Sequence, residues 1–170
     1  MPTDIDDTQT PTPAALGYRM PPEWAPHAAT WLSWPHNLET WSADQLEAAE
    51  RTLAEAVRAL QTGEAVHINV LDEEHEVHVR GLIGEASTAH PVHYHHIPTN
   101  DAWARDHGAT FGVREGEAPL AAVDWTYNAW GGKYPPYDHD DAVARRMAEA
   151  LNVPRFRTDL VAEGGAFEVN

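Results

Sequence analysis

The hydrophobic period changes once between Ser42 and Val70, and this constrains the fold more than any other feature. Leu46, Ala49, Leu53, Ala56 and Leu60 recur at spacings of three and four, which places them on one stripe of a helix. Just past Gly63, a natural helix stop, Val66, Ile68 and Val70 alternate as a strand does. The helix start is equally legible. Ser42 and Gln45 have the spacing of a capping box. Asp44 and Glu47 lie near the positive end of the helix dipole, and Arg58 near the negative end. A chain built from such pieces is α/β.

The same reading extends both ways. Ala28 to Ser33 predicts a short buried strand, set in a segment from Tyr18 to Trp41 that holds four tryptophans and too many prolines for a long helix. Those indoles read first as buried surface. Asp72 to Ile83 predicts a second, more polar helix closed by Gly84, and His90 to Ile97 a strand. Ala109 to Val113 and Leu120 to Trp125 predict a hairpin across Arg114 to Pro119. Tyr127 to Tyr137 is an aromatic, glycine-rich loop of the length that usually carries function in a compact domain. Asp140 or Asp141 is expected to cap a helix running to about Leu151. Arg155 to Val161 and Ala166 to Asn170 read as strands, the second broken off by the end of the chain. A strand-strand-helix-strand unit recurs in this order.

Composition sets limits on function. The 170 residues fit one domain, residues 18–170, behind an acidic Thr- and Pro-rich tail, residues 1–17, expected to be disordered. The net charge of −16 argues against nucleic-acid or anionic-membrane partners and suits a small cationic ligand. There is no cysteine, so disulfides, thiolate metal sites and a thiol nucleophile are excluded within these residues. No apolar run spans a membrane, and the first residues lack the pattern of a secretory signal, which points to the cytoplasm. Gly131-Gly132 form no phosphate-binding pattern. His93 and His95 share a strand face at a spacing a metal could use, but two imidazoles without a third ligand make a poor zinc site, and no metal is expected.

The chemistry concentrates in Asn100-Asp-Ala-Trp-Ala-Arg-Asp-His-Gly108. Two carboxylates beside an indole suit a flat cation, with the acids pairing at its edge and the ring covering its face. A guanidinium matches best, because its planar fork fits a carboxylate. The same spacing also fits a surface turn in which Arg105 pairs with Asp101 or Asp106. Glu163 precedes Gly164-Gly165, where a tight turn can present its oxygens; an ordinary turn glutamate is the alternative.

Together with Met20-Pro-Pro-Glu-Trp-Ala-Pro-His27, Trp31 to Asn37 and Asp124 to Tyr137, these stretches resemble the agmatine deiminase family, the porphyromonas-type peptidylarginine deiminase group. Ala109 departs from it, standing where the family usually has proline. The resemblance implies an incomplete five-bladed α/β propeller, pentein-like, with about two strand-strand-helix-strand blades present. It implies hydrolysis of agmatine to N-carbamoylputrescine and ammonia without metal or organic cofactor. In that chemistry a cysteine thiolate attacks the guanidinium carbon, a histidine shuttles protons, and water releases the covalent intermediate. Asp106 corresponds to the carboxylate gripping the guanidinium, Glu163 to a second acid on the same cation, and Trp103 to the channel aromatic. Asn100, Asp101, Arg105, Gly164 and Gly165 shape the site. Each lost charge-assisted pairing would cost about 2–4 kcal/mol. The family's His-x-Asp and cysteine lie beyond Glu-Gly-Gly, so this stretch alone is expected to be inactive. Its bare strand edges would favour self-association, including a homo-oligomer. Deimination of peptidyl-arginine, non-catalytic binding of guanidinium or polyamine ligands, and a histidine metal protein are the competing readings.

Overall fold

A computed structural model describes residues 11–84 and 89–169. They divide into two compact units. One is Pro26–Ala104; the other joins the stretch up to Ala25 to the chain from Arg105 onward.

In Pro26–Ala104, β1 (Ala29–Ser33), β2 (Ala65–Val70) and β3 (Val92–His96) form a parallel sheet in that order. Parallel neighbours need long crossovers. Helices α1 (Ala43–Leu60) and α2 (Glu73–Ile83) provide them. Each helix starts where side-chain chemistry places it. Gln45 accepts the Ser42 N–H at 3.1 Å, and Asp72 accepts the His75 N–H at 2.9 Å. Gly84 ends α2 at φ +73°. Val66, Ile68 and Val70 pack with Trp34, Ala54, Val57, Val79 and Ile83 into the core of this unit.

The buried line of α1 is rotated from the expected stripe. Glu50, Ala54 and Val57 are its deepest residues, with Leu53 and Leu60 alongside. A carboxylate sits mid-line because Glu50 Oε1 accepts from Trp34 Nε1 at 2.9 Å and meets His78 Nε2 at 2.7 Å. Alternation sends Trp31, His67 and Asn69 to the opposite sheet face. Trp31 stacks on His67 and on His95, both at 4.6 Å between ring centres. His67 Nδ1 lies 2.8 Å from His95 Nε2. Burial first, then the neighbouring His95 and His93 charges, pull the His67 pKa down to about 4. These imidazoles contact one another, and among the described residues no group of three or more His, Asp or Glu is placed to hold a metal.

In the second unit, β4 (Thr110–Val113) and β5 (Leu120–Thr126) pair antiparallel, as the hairpin pattern predicts, and β6 (Arg155–Val161) lies parallel to β5. Arg19 extends the sheet by bridging Val113. The one-turn α3 (Ala104–His107) leads into β4. The short α4 (Asp138–Asp141) and α5 (Val143–Leu151) connect β5 to β6. The order β4, β5, α5, β6 is strand-strand-helix-strand; the other unit instead runs strand-helix-strand-helix-strand.

The ends and caps differ from expectation in three places. Residues 1–10 of the expected tail lie outside the described residues. Ala14–Leu16 form a 3-10 turn, and Leu16 packs beside Tyr18, Ala121 and Phe156. Asp140 and Asp141 do not cap a helix from outside it. They lie inside α4, because Asp141 Oδ1 accepts the Tyr127 N–H at 2.8 Å and Asp140 is buried. The stretch from Ala166 is not a strand: Gly164–Ala166 is a 3-10 turn, and residues 167–169 pair with no strand among the described residues. Phe167 instead stacks on Trp125 at 4.6 Å. No helix among the described residues is long and apolar enough to cross a membrane.

Candidate active site

Asn100 and Asp101 belong to the Pro26–Ala104 unit, where they bind the segment after β1. Asn37 Nδ2 donates to the Asn100 carbonyl at 3.0 Å, and Thr40 Oγ1 donates to Asp101 Oδ2 at 2.8 Å. The other Asp101 oxygen accepts the Ala102 N–H at 2.7 Å, turning the chain toward α3. Both residues thus hold the loop. Trp103 is 42% exposed.

Arg105 and Asp106 belong to the other unit. Arg105 pairs with neither Asp101 nor Asp106. Its Nη2 lies 2.6 Å from Glu23 Oε1, with both side chains about two-thirds exposed. Asp106 is half-buried, and among the described residues its carboxylate makes no hydrogen bond or ion pair. Burial pushes the carboxyl pKa above its ordinary 3.8, against the opposing pull of His107 and Arg105. A half-buried acid without a fixed partner is what a cation-binding position needs in the absence of its ligand.

Glu163 lies in the same unit, after β6, and Gly164 determines how its turn packs. A Cβ built on Gly164 would overlap the Arg105 carbonyl oxygen and come within 3.0 Å of Arg105 Cδ and 3.1 Å of Nε. Only glycine allows this approach, so the Glu163 turn seats directly against the residue before Asp106. A Cβ built on Gly165 would meet nothing within 4 Å. Glu163 is half-buried, and it too makes no hydrogen bond or ion pair among the described residues. Two carboxylates far apart in sequence are thus carried on adjoining turns.

Sequence reasoning did not anticipate the buried polar pairs of this unit. His107 is 2% exposed, with Nδ1 3.4 Å from Asp140 Oδ1 and its ring edge-on to Tyr127. Asp124 is fully buried and takes Arg155 Nε at 2.7 Å and Arg157 Nη1 at 2.9 Å. Arg157 Nη2 also lies 3.6 Å from Asp141. The aromatic loop turns through Ala129–Gly132, all four at positive φ. Ala129 and Trp130 hold that strained conformation with Trp130 edge-on to Tyr127 and Tyr134. The Trp-Gly-Gly sequence hinted at this turn, but nothing local reveals the Asp124 and Asp140 pairings.

The sequence matches the profile of the Porphyromonas-type peptidyl-arginine deiminases over residues 19–170. The chain belongs to that family. An agmatine deiminase of Stutzerimonas stutzeri is 37% identical over 169 residues, and that of Ectopseudomonas mendocina 36% over 168. Each alignment covers 96% of this chain and 44% of the relative. The chain therefore spans less than half the length of the curated relatives it matches. Among solved structures, the Enterococcus faecalis agmatine deiminase superposes with a TM-score of 0.77 at 32% identity, covering 93% of this chain and 42% of that one. A C. jejuni agmatine deiminase with substrate bound gives 0.74 at 26% identity, covering 90% and 43%. The mixed α/β architecture of this chain thus matches that of solved agmatine deiminases.

Proposed function

We propose that these residues form the guanidinium-gripping part of an agmatine deiminase that hydrolyses agmatine to N-carbamoylputrescine and ammonia. Asp106 and Glu163 bind the planar cation, and Arg105, Gly164 and Gly165 shape their turns; in the other unit Asn100 and Asp101 shape the loop that carries Trp103, which corresponds to the channel aromatic. The observation that carries this reading is the close seating of Gly164 on Arg105, which joins the two acid-bearing turns. Their carboxylates orient the guanidinium carbon for attack, turning binding energy into positioning. The attacking thiolate comes from outside these 170 residues, which contain no cysteine. The two units correspond to part of a five-bladed α/β propeller.

The test uses the full-length protein. It releases ammonia from agmatine in preference to an arginine-containing peptide, Asp106→Asn abolishes turnover with the fold intact, and residues 1–170 alone release none. Near-parental turnover of Asp106→Asn removes that residue from the site. Preference for the peptide makes the enzyme a peptidyl-arginine deiminase instead.

A further inference from the structure

We infer that His107, backed by Asp140, is a positioning residue that holds Asp106 in register for a guanidinium. This rests on the reading of Asp106 above and adds to it residues with no assigned part in the reaction.

Helix α3 has four residues and no cooperative stability of its own, so tertiary anchors decide where its side chains point. Of the two residues flanking Asp106, Arg105 spends its charge at the surface on Glu23. The His107 side chain is fully buried. Its Nδ1 lies 3.4 Å from Oδ1 of buried Asp140, so ring and acid meet out of reach of solvent. Three elements therefore grip the imidazole: α3 carries it, α4 presents Asp140, and the loop after β5 presents Tyr127.

The mount is itself fixed. Within α4, the neighbouring Asp141 accepts the Tyr127 N–H and lies near Arg157, which also binds buried Asp124 on β5. Rotation of α3 would pull His107 off this frame and carry Asp106 with it. Arg105 and His107 flank Asp106, Asp140 and the Tyr127 ring lie against His107, and the Glu163 turn packs on Arg105. The His107 and Arg105 side chains pull the Asp106 carboxyl back towards its ionised form, the form a guanidinium requires, against the burial that pushes it up.

The experiment measures KM and kcat for agmatine from pH 6 to 9 in the full-length enzyme and in His107→Gln/Asp140→Asn. That pair replaces both ionisable side chains with neutral amides. The expected result is a KM near parental at pH 9 whose acid-side rise begins at higher pH than the parent's, because the imidazole that opposes the burial of Asp106 is gone. Asp140→Asn alone, which takes the acid from beside the imidazole, shifts the curve in the same direction and serves if the double variant does not fold. A purely structural role would change KM equally at all pH values. Curves parallel to the parent's, with Asp106→Asn inactive, overturn the role of His107 and leave the deiminase reading standing. A parental KM and kcat in Asp106→Asn overturn both.

Discussion

Gly164→Ala adds one carbon at the tightest point between the two acid-bearing turns. The new Cβ would overlap the Arg105 carbonyl oxygen and crowd Cδ and Nε at 3.0 and 3.1 Å. The side-chain atoms can swing away, but the carbonyl is backbone and leads directly into Asp106. Restoring ordinary van der Waals separation requires the Glu163 turn to withdraw by about 1 Å. Overpacking of this kind costs roughly 1–3 kcal/mol. A displacement of about 1 Å at a positioning group costs on the order of 100-fold in rate, or about 2.7 kcal/mol. The expected outcome in the full-length enzyme is a kcat/KM for agmatine about 100-fold below the parent, and a melting temperature lower by about 1 °C per kcal/mol lost. Gly63→Ala is the control outside the site. Its Cβ would point into open space, so it should behave as the parent does. Steady-state kinetics and calorimetry on the two variants decide the matter. A parent-like Gly164→Ala, or equal damage from Gly63→Ala, would refute the steric reasoning.

Two further outcomes follow from charge. Burial raises the Asp106 pKa, so the folded state favours the protonated acid; this stability is present below 3.8 and lost as the pH rises through the folded value. Asp106→Asn should therefore melt higher than the parent at pH 7, the gap narrowing as the pH falls towards 3.8, even as turnover disappears. His67 has the opposite sign: its lowered pKa gives stability above 6.5 that is lost as the pH falls to about 4. His67→Asn should flatten the fall in melting temperature across that window, and an NMR titration placing the His67 ring near 6.5 would contradict this.

What could be read from the sequence depended on how local its cause was. The α1 cap needs only Ser42 and Gln45, the α2 ends only Asp72 and Gly84, and the hairpin only its own two strands. Glu50 was missed as a buried residue because its partners lie 16 positions before it and 28 after it. His67 looked unremarkable until β2 and β3 placed it against His93 and His95. The strand expected after Ala166 pairs with no other among the described residues, and Phe167 stacks instead on Trp125, 42 positions earlier, a contact composition cannot reveal. In the candidate site, the family motifs singled out Asp106 and Glu163, whereas the Gly164 contact and the Asp140 mount exist only once the chain has folded.

The Glu50 junction also bears on how such sequences can diverge. A single carboxylate oxygen serves an indole and an imidazole from two other elements. Replacing the acid alone strands a buried Trp34 N–H, and replacing Trp34 alone leaves the acid half-satisfied beneath a helix. Neutral passage therefore runs through joint exchange of the trio for apolar side chains of equal volume. Positions 34, 50 and 78 should accordingly change together or not at all.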